Sequence, residues 1–141
     1  MKKRYLRTKD RIGALYDKWK EPLWLGGYRI TLDFCYDGGE FPSEQAAVSE
    51  VAARCYADWR YQSALIKFNV PACAGLNDKE LESVVVHELV HVLVDEIDIS
   101  PKQHDHLERV VSTLTSILTW QARQSAATQP GNVVAVDGVT P

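Results

Sequence analysis

The sequence predicts an α+β domain: a small sheet of about three strands packed on a buried central helix, with further helices before and after it. Three observations carry this. Residues 28–35 alternate strictly, with Tyr28, Ile30, Leu32 and Phe34 on one face, and residues 62–70 alternate Ala64, Ile66 and Phe68 against Leu65, Lys67 and Asn69; both patterns have the period of a strand. The stretch from Val84 to Val94 is aliphatic at eight of its eleven positions, and these point all round a helix. A helix that is apolar on every side is buried.

The bulk properties agree with one domain. The chain has 141 residues, enough to bury roughly 68% of the surface its unfolded form exposes. Its residues are 45% hydrophobic and 25% charged, ordinary for a soluble globular protein. We expect a single domain over residues 1–126 and a flexible tail over 127–141, where small and polar residues mix with Pro and Gly. The net charge of -3 argues against a dedicated nucleic-acid binder. It is unevenly placed. Residues 1–20 hold eight Lys and Arg against Asp10 and Asp17, a surplus of +6, so the other 121 residues sum to -9. A solvated amphipathic helix accounts for this; a basic arm touching nucleic acid or an acidic partner is the sharper reading.

Cys35, Cys55 and Cys73 are odd in number and form no C-x-x-C pair, so neither a disulfide framework nor a cysteine zinc site is expected. Buried thiols in a reducing compartment are the simplest account. The basic N-terminus is followed by no apolar signal-peptide core. The apolar stretch around Val84–Val94 is too short and too polar to span a bilayer. The expected location is cytoplasmic, in a bacterium or a phage-infected cell.

The remaining elements follow in order. Residues 8–20 read as a helix from Ile12, Leu15, Tyr16 and Trp19, with Thr8 or Asp10 as cap and Pro22 and Gly26-Gly27 beyond its end. Residues 36–44 form a loop. Residues 46–58 suit helix by propensity, but Val51, Ala53, Cys55 and Ala57 alternate with their neighbours, which favours a strand in the second half. Pro71 to Gly75 is a turn. Asn77 caps the buried helix, and Glu80 three residues later completes a capping-box pattern; the helix runs to about Asp95. Ser100 and Pro101 read as N-cap and first residue of a last helix to about Gln124.

The buried helix carries the chemistry. Its centre reads His87-Glu88-Leu89-Val90-His91. Burying three ionisable groups without partners costs several kcal/mol, and a divalent metal satisfies them together. His87 and His91 lie four apart, one turn along the same face, a spacing that suits two nitrogens on one zinc at about 2.0–2.1 Å. Glu88 lies about 100° round the helix from His87, beside the metal, where a carboxylate can act as general base toward a zinc-activated water. This is the H-E-x-x-H motif. Histidines hydrogen-bonded within the core are the bland alternative.

Catalytic zinc sites generally use three protein ligands. The last helix offers His104, His106 and Glu108. With Leu107 at 0° and the apolar face centred near 340°, His104 falls at about 60°, Glu108 at about 100° and His106 at about 260°. His104 and Glu108 share one flank and His106 borders the other, so the wheel does not choose among them.

The stretch from Glu80 to Leu118 resembles the zincin superfamily, in particular small phage and bacterial zincin-like proteins. In these, H-E-L-x-H is followed by a helix reading Glu-x-x-Val-x-x-Leu, which Glu108, Val111 and Leu114 match. The resemblance implies Glu108 as third ligand, Zn²⁺ as cofactor, and a peptide or protein as substrate lying along an edge strand; it suggests for that role residues 62–69, which also resemble the strand preceding the active helix. SprT-like proteases use a histidine third ligand, which His104 or His106 could supply, but their zinc-ribbon cysteines are missing. ImmA/IrrE-like peptidases carry a later glutamate helix, but Ser112 and Leu114 stand where their usual Asn and Phe would. The metzincin extension is absent.

The expected function is therefore a zinc-dependent metallopeptidase in which His87, His91 and Glu108 hold the metal and Glu88 is general base and proton donor. The alternative is a non-catalytic, zinc-stabilised binding or regulatory module, which the short chain favours by leaving little to build a lid. Tyr56 and Tyr61 lie near the relevant strand and are expected to pack rather than to stabilise an oxyanion.

Overall fold

A computed structural model describes residues 2–37, 51–95, 97 and 100–128 of the chain. Helix α1 spans Lys3–Lys20, strand β1 Arg29–Cys35, strand β2 Ala53–Asp58, strand β3 Ser63–Asn69, helix α2 Val70–Ala74, helix α3 Asp78–Val94 and helix α4 His104–Ala127. Single 3-10 turns cover Trp59–Tyr61 and Pro101–Gln103. The fold is thus the expected mixed α+β arrangement, with three strands and four helices among the described residues. The proposed tail from 129 onward, the loop at 38–44 and the first part of 46–58 lie outside them.

The three strands are ordered β1-β3-β2. β3 pairs in parallel with β1, Leu32 opposite Ile66, and antiparallel with β2, Cys55 opposite Ile66. This corrects one expectation. Residues 62–69 form the central strand, with both hydrogen-bonding edges used, and cannot receive a substrate strand. Among the described residues β2 is an edge. The alternating small residues of 53–58 concealed this, because alternation reports which side chains face the core and says nothing of which neighbour a strand has.

One core joins the layers. Ile66 and Phe68 of β3 meet Leu81, Val85, Leu89 and Val92 of α3, with Ile12 of α1 and Val111 of α4 closing the two sides. α3 is buried along Leu81, Val85, Val86, Leu89, Val90 and Val92, as its all-round apolar sequence requires. Its start is the predicted capping box: Asn77 Oδ1 accepts from the Glu80 N–H at 2.9 Å, and the Glu80 carboxylate accepts from the Asn77 N–H at 2.8 Å.

Other boundaries shift. α1 begins at Lys3, so Thr8 is no cap; it is buried within the helix and its hydroxyl donates to the Arg4 carbonyl at 2.9 Å. Residues 70–74, expected as a turn, make one helical turn capped by Asn69. α4 starts at His104 after the 3-10 turn, without a side-chain cap, so Ser100 is not its N-cap; instead the Ser100 N–H donates to Gln103 Oε1 at 3.4 Å. The basic surplus of α1 is partly spent inside the molecule. Arg4 donates to the Ala74 carbonyl, Arg11 pairs with Asp78 at 2.8 Å, and Lys18 pairs with Glu82 at 2.7 Å, which ties α1 to α2 and α3. No described helix is long and apolar enough to cross a membrane.

Candidate metal centre and its clefts

α3 presents His87 and His91 one turn apart, and α4 crosses them with Glu108. The two Nε2 atoms are 3.2 Å from each other. Glu108 Oε2 is 3.3 Å from His87 Nε2, and Glu108 Oε1 is 2.9 Å from His91 Nε2. One donor atom from each residue lies within 4.8 Å of the other two, so the group could hold a metal ion. The side chains are partly open, at 25% for His87, 18% for His91 and 39% for Glu108.

Of the three acceptable third partners, the fold brings in Glu108. His104, one turn earlier on α4, lies beside His91 in a neighbouring cleft, and His106 is exposed and joins neither cleft. The reason is the crossing of the two helices. Val111 points into the core with no exposure, and the residue three before it, Glu108, then meets α3 at the level of His87 and His91.

Glu88 is 7% exposed. Burial, reinforced by the Glu108 carboxylate, pushes its carboxyl up to about 7, and no described residue donates a hydrogen bond to it. Burial also holds the His91 imidazole below its ordinary value, overcoming the opposing pull of Glu108. A neutral imidazole is the form that ligates a metal. Cys55 on β2 is close enough to feel Glu88; burial first, then Glu88 and Asp95, push its thiol up to about 12. At that value it is a thiol at neutral pH, and the group that could hold a metal ion is His87, His91 and Glu108.

Two open clefts flank the group. One, of about 380 Å³, is lined by Ala52 and Ala53, by Ser83, Val84, His87 and Glu88 of α3, and by Ser112, Thr115 and Ser116 of α4. The other, of about 580 Å³, is lined by Cys55, Ala57 and Asp58, by His91 and Asp95, and by His104 and Leu107, with Trp59 and Arg60 at its lip. Neither is legible from local sequence, since each takes walls from elements distant in the chain. Tyr56 and Tyr61 border neither cleft; both are exposed, so the expectation that they pack does not hold. No protein-family model, no curated protein and no solved structure matches the chain.

Proposed function

We propose that the chain is a zinc-dependent peptidase, with His87, His91 and Glu108 as metal ligands and Glu88 as general base. The observation that carries this reading is the convergence of the donor atoms. The two Nε2 atoms stand 3.2 Å apart, His87 lies 3.3 Å from Glu108 Oε2 and His91 2.9 Å from Oε1, and one donor atom from each residue lies within 4.8 Å of the other two; donors about 2.0–2.1 Å from a tetrahedral centre stand about 3.3–3.4 Å apart. Two imidazoles and a carboxylate are also the donor chemistry zinc takes in hydrolytic sites.

Bound there, zinc would supply a Lewis acid that polarises a carbonyl and lowers the pKa of a ligated water to about 7. Glu88 does the proton work. Its carboxylate takes the proton from the attacking water as the new C–O bond forms. It returns that proton to the amide nitrogen as the C–N bond breaks, so acid and amine leave with all protons accounted for. A carboxyl whose ordinary affinity for protons is raised by burial suits both halves of that exchange.

Edge strand β2 supports a peptide as the substrate. The Asn69 N–H donates to the Ala52 carbonyl at 2.8 Å, and the register continues as Ala53 opposite Phe68. Antiparallel pairs alternate between bonded and non-bonded, so the backbone groups of Ala53, Cys55 and Ala57 point away from β3. Among the described residues no strand pairs with them, and such an edge is how strand-addition sites bind peptides. Six residues of edge span about 20 Å.

The test has two parts. Zinc per chain is measured for wild type and for Glu108→Ala, His104→Ala and His106→Ala; loss with Glu108→Ala alone is expected, and full retention there removes Glu108 from the ligand set. Hydrolysis of a mixed peptide pool is then compared between wild type and Glu88→Gln, both zinc-loaded. Equal activity in the two would end the proposed role of Glu88, and no activity in either would favour a zinc-stabilised binding module.

A further inference from the structure

The two clefts lie on opposite sides of the metal-ligand group, and three elements run past it together. β2 passes from Ala53 to Asp58, α3 from Ser83 through His87 and His91 to Asp95, and α4 in the reverse sense from Ser116 to His104. The clefts are therefore two halves of one groove with the reacting position between them. Their chemistry differs.

The half beside His87 carries no charge apart from Glu88. Two hydroxyls of its α4 wall are already engaged. The Thr115 hydroxyl donates to the Val111 carbonyl at 2.8 Å and the Ser116 hydroxyl to the Ser112 carbonyl at 3.0 Å. These two hydroxyls are used by their own helix; beside them the groove is lined by Ala52, Ala53 and Val84, with the Ser83 and Ser112 side chains. An anionic side chain entering here would meet the Glu88 carboxylate and no cation.

The half beside His91 holds two carboxylates and one guanidinium. Asp58 and Arg60 neutralise each other, with Arg60 Nε 3.1 Å from Oδ1 and Nη2 3.3 Å from Oδ2. Asp95 has no such ion pair among the described residues, although the Arg60 guanidinium is near enough to feel its charge; with Asp58 counted, the cleft still holds one carboxylate more than it has guanidinium groups. One of its oxygens accepts the Trp59 N–H at 3.0 Å, and its remaining charge faces the cleft next to the half-exposed Trp59. A carboxylate beside an aromatic face recognises a cationic side chain.

We propose that the groove selects peptides with an uncharged apolar side chain on one side of the scissile bond and a lysine or arginine on the other, with Asp95 as the residue that reads the cation. This rests on the peptidase reading above and specifies its substrate class.

The test uses zinc-loaded protein and a random hexapeptide library, read in two ways: sites of cleavage by wild type, and binding of the same peptides by Glu88→Gln. The expected cleavage map has Lys or Arg enriched over Asp or Glu on one side, with apolar residues opposite. Asp95→Asn, which keeps an acceptor for the Trp59 N–H, should reduce the preference for Lys and Arg over Gln at least ~10-fold. Ser116→Leu, at an exposed helix position, should raise KM for peptides with bulky apolar residues and spare those with Gly or Ala. Cleavage without charge preference, or a preference unchanged in Asp95→Asn, overturns the inference and leaves the peptidase reading standing. Selective binding by Glu88→Gln with no cleavage by wild type overturns the peptidase reading and leaves the groove assignment standing. Neither binding nor cleavage overturns both.

Discussion

Helix α3 buries two glutamates six residues apart, and the fold treats them in opposite ways. Glu82 is 9% exposed and Glu88 7%. Glu82 Oε1 accepts from Lys18 Nζ at 2.7 Å and from Trp19 Nε1 at 2.8 Å. Burial pushes its carboxyl up, but the bonds from Lys18 and Trp19 and the charges of Lys18 and Arg123 outweigh that and hold it below the ordinary value. Glu88 has burial and a neighbouring carboxylate, with no donor among the described residues, and its carboxyl rises to about 7. Similar exposure thus accompanies an ionised carboxylate at one end of the helix and a carboxyl raised towards neutrality in the middle. Glu88 is the more deeply enclosed of the two and lacks the donors that Glu82 has, so partners and depth together separate them.

The largest effect that would sharpen this comparison is catalytic. Glu88→Gln should lower hydrolysis by zinc-loaded protein about 10²–10⁴-fold, the usual contribution of a positioned acid–base group, while the metal-free variant melts no lower than wild type because no partner is lost. Glu82→Ala should do the reverse. It leaves the buried Trp19 Nε1–H without an acceptor, at a cost of about 1–3 kcal/mol, and leaves activity per folded molecule unchanged. Urea unfolding and initial rates on both variants check this. A Glu88→Gln variant as destabilised as Glu82→Ala would break the comparison.

Acidity distinguishes the pair next. Glu82 has a lowered carboxyl value when folded, so its contribution is fully present above the unfolded value near 4.5 and is lost as pH falls through the folded one. Glu88 has a raised value. Between about 4.5 and 7 the folded, metal-stripped chain keeps a proton that the unfolded chain has released, so stability falls as pH rises through that window. The deficit of Glu82→Gln relative to wild type should therefore shrink on acidification below about pH 4.5. Metal-stripped Glu88→Gln should gain on wild type between pH 5 and 8. Thermal melts from about pH 3 to about pH 8, in chelator, would show both trends; parallel curves for the two variants would contradict it.

The sequence made only one of these glutamates visible. Glu88 stood out because it sits between two histidines in an aliphatic run, and the spacing of His87 and His91 is set within a single helix. Glu82 gave no signal, since its partners Lys18 and Trp19 lie more than sixty residues earlier on α1. The same distinction runs through the molecule. The strands, the buried helix and its capping box were legible because each depends on neighbours within a few residues. The order β1-β3-β2 was not, and with it went the identity of the edge strand. Glu108 was one of three candidates on a helical wheel, and only the crossing of α4 over α3 brings it to the histidines. Both clefts were beyond reach for the same reason: Asp95 comes to share a cleft with Cys55 and His104, and Ser116 with Ala53, through packing alone.

The smallest effect concerns what the two glutamates share. Both depend on α3 being held in one register, and the Asn77–Glu80 capping box fixes its first turn. Asn77→Ala removes the acceptor for the Glu80 N–H and should cost about 1 kcal/mol. Glu82 sits within the second turn, near the cap, whereas Glu88 lies about 1.7 turns further along, where Val85, Val86, Leu89 and Val90 are almost wholly buried. Fraying from the start of the helix reaches Glu82 first. Amide hydrogen exchange on Asn77→Ala should accelerate through Glu80–Ser83 and leave His87–His91 protected, with zinc content and hydrolysis as in wild type. Faster exchange spreading evenly to His91 would mean that the cap, rather than the core beneath it, holds the His87–His91 turn in place.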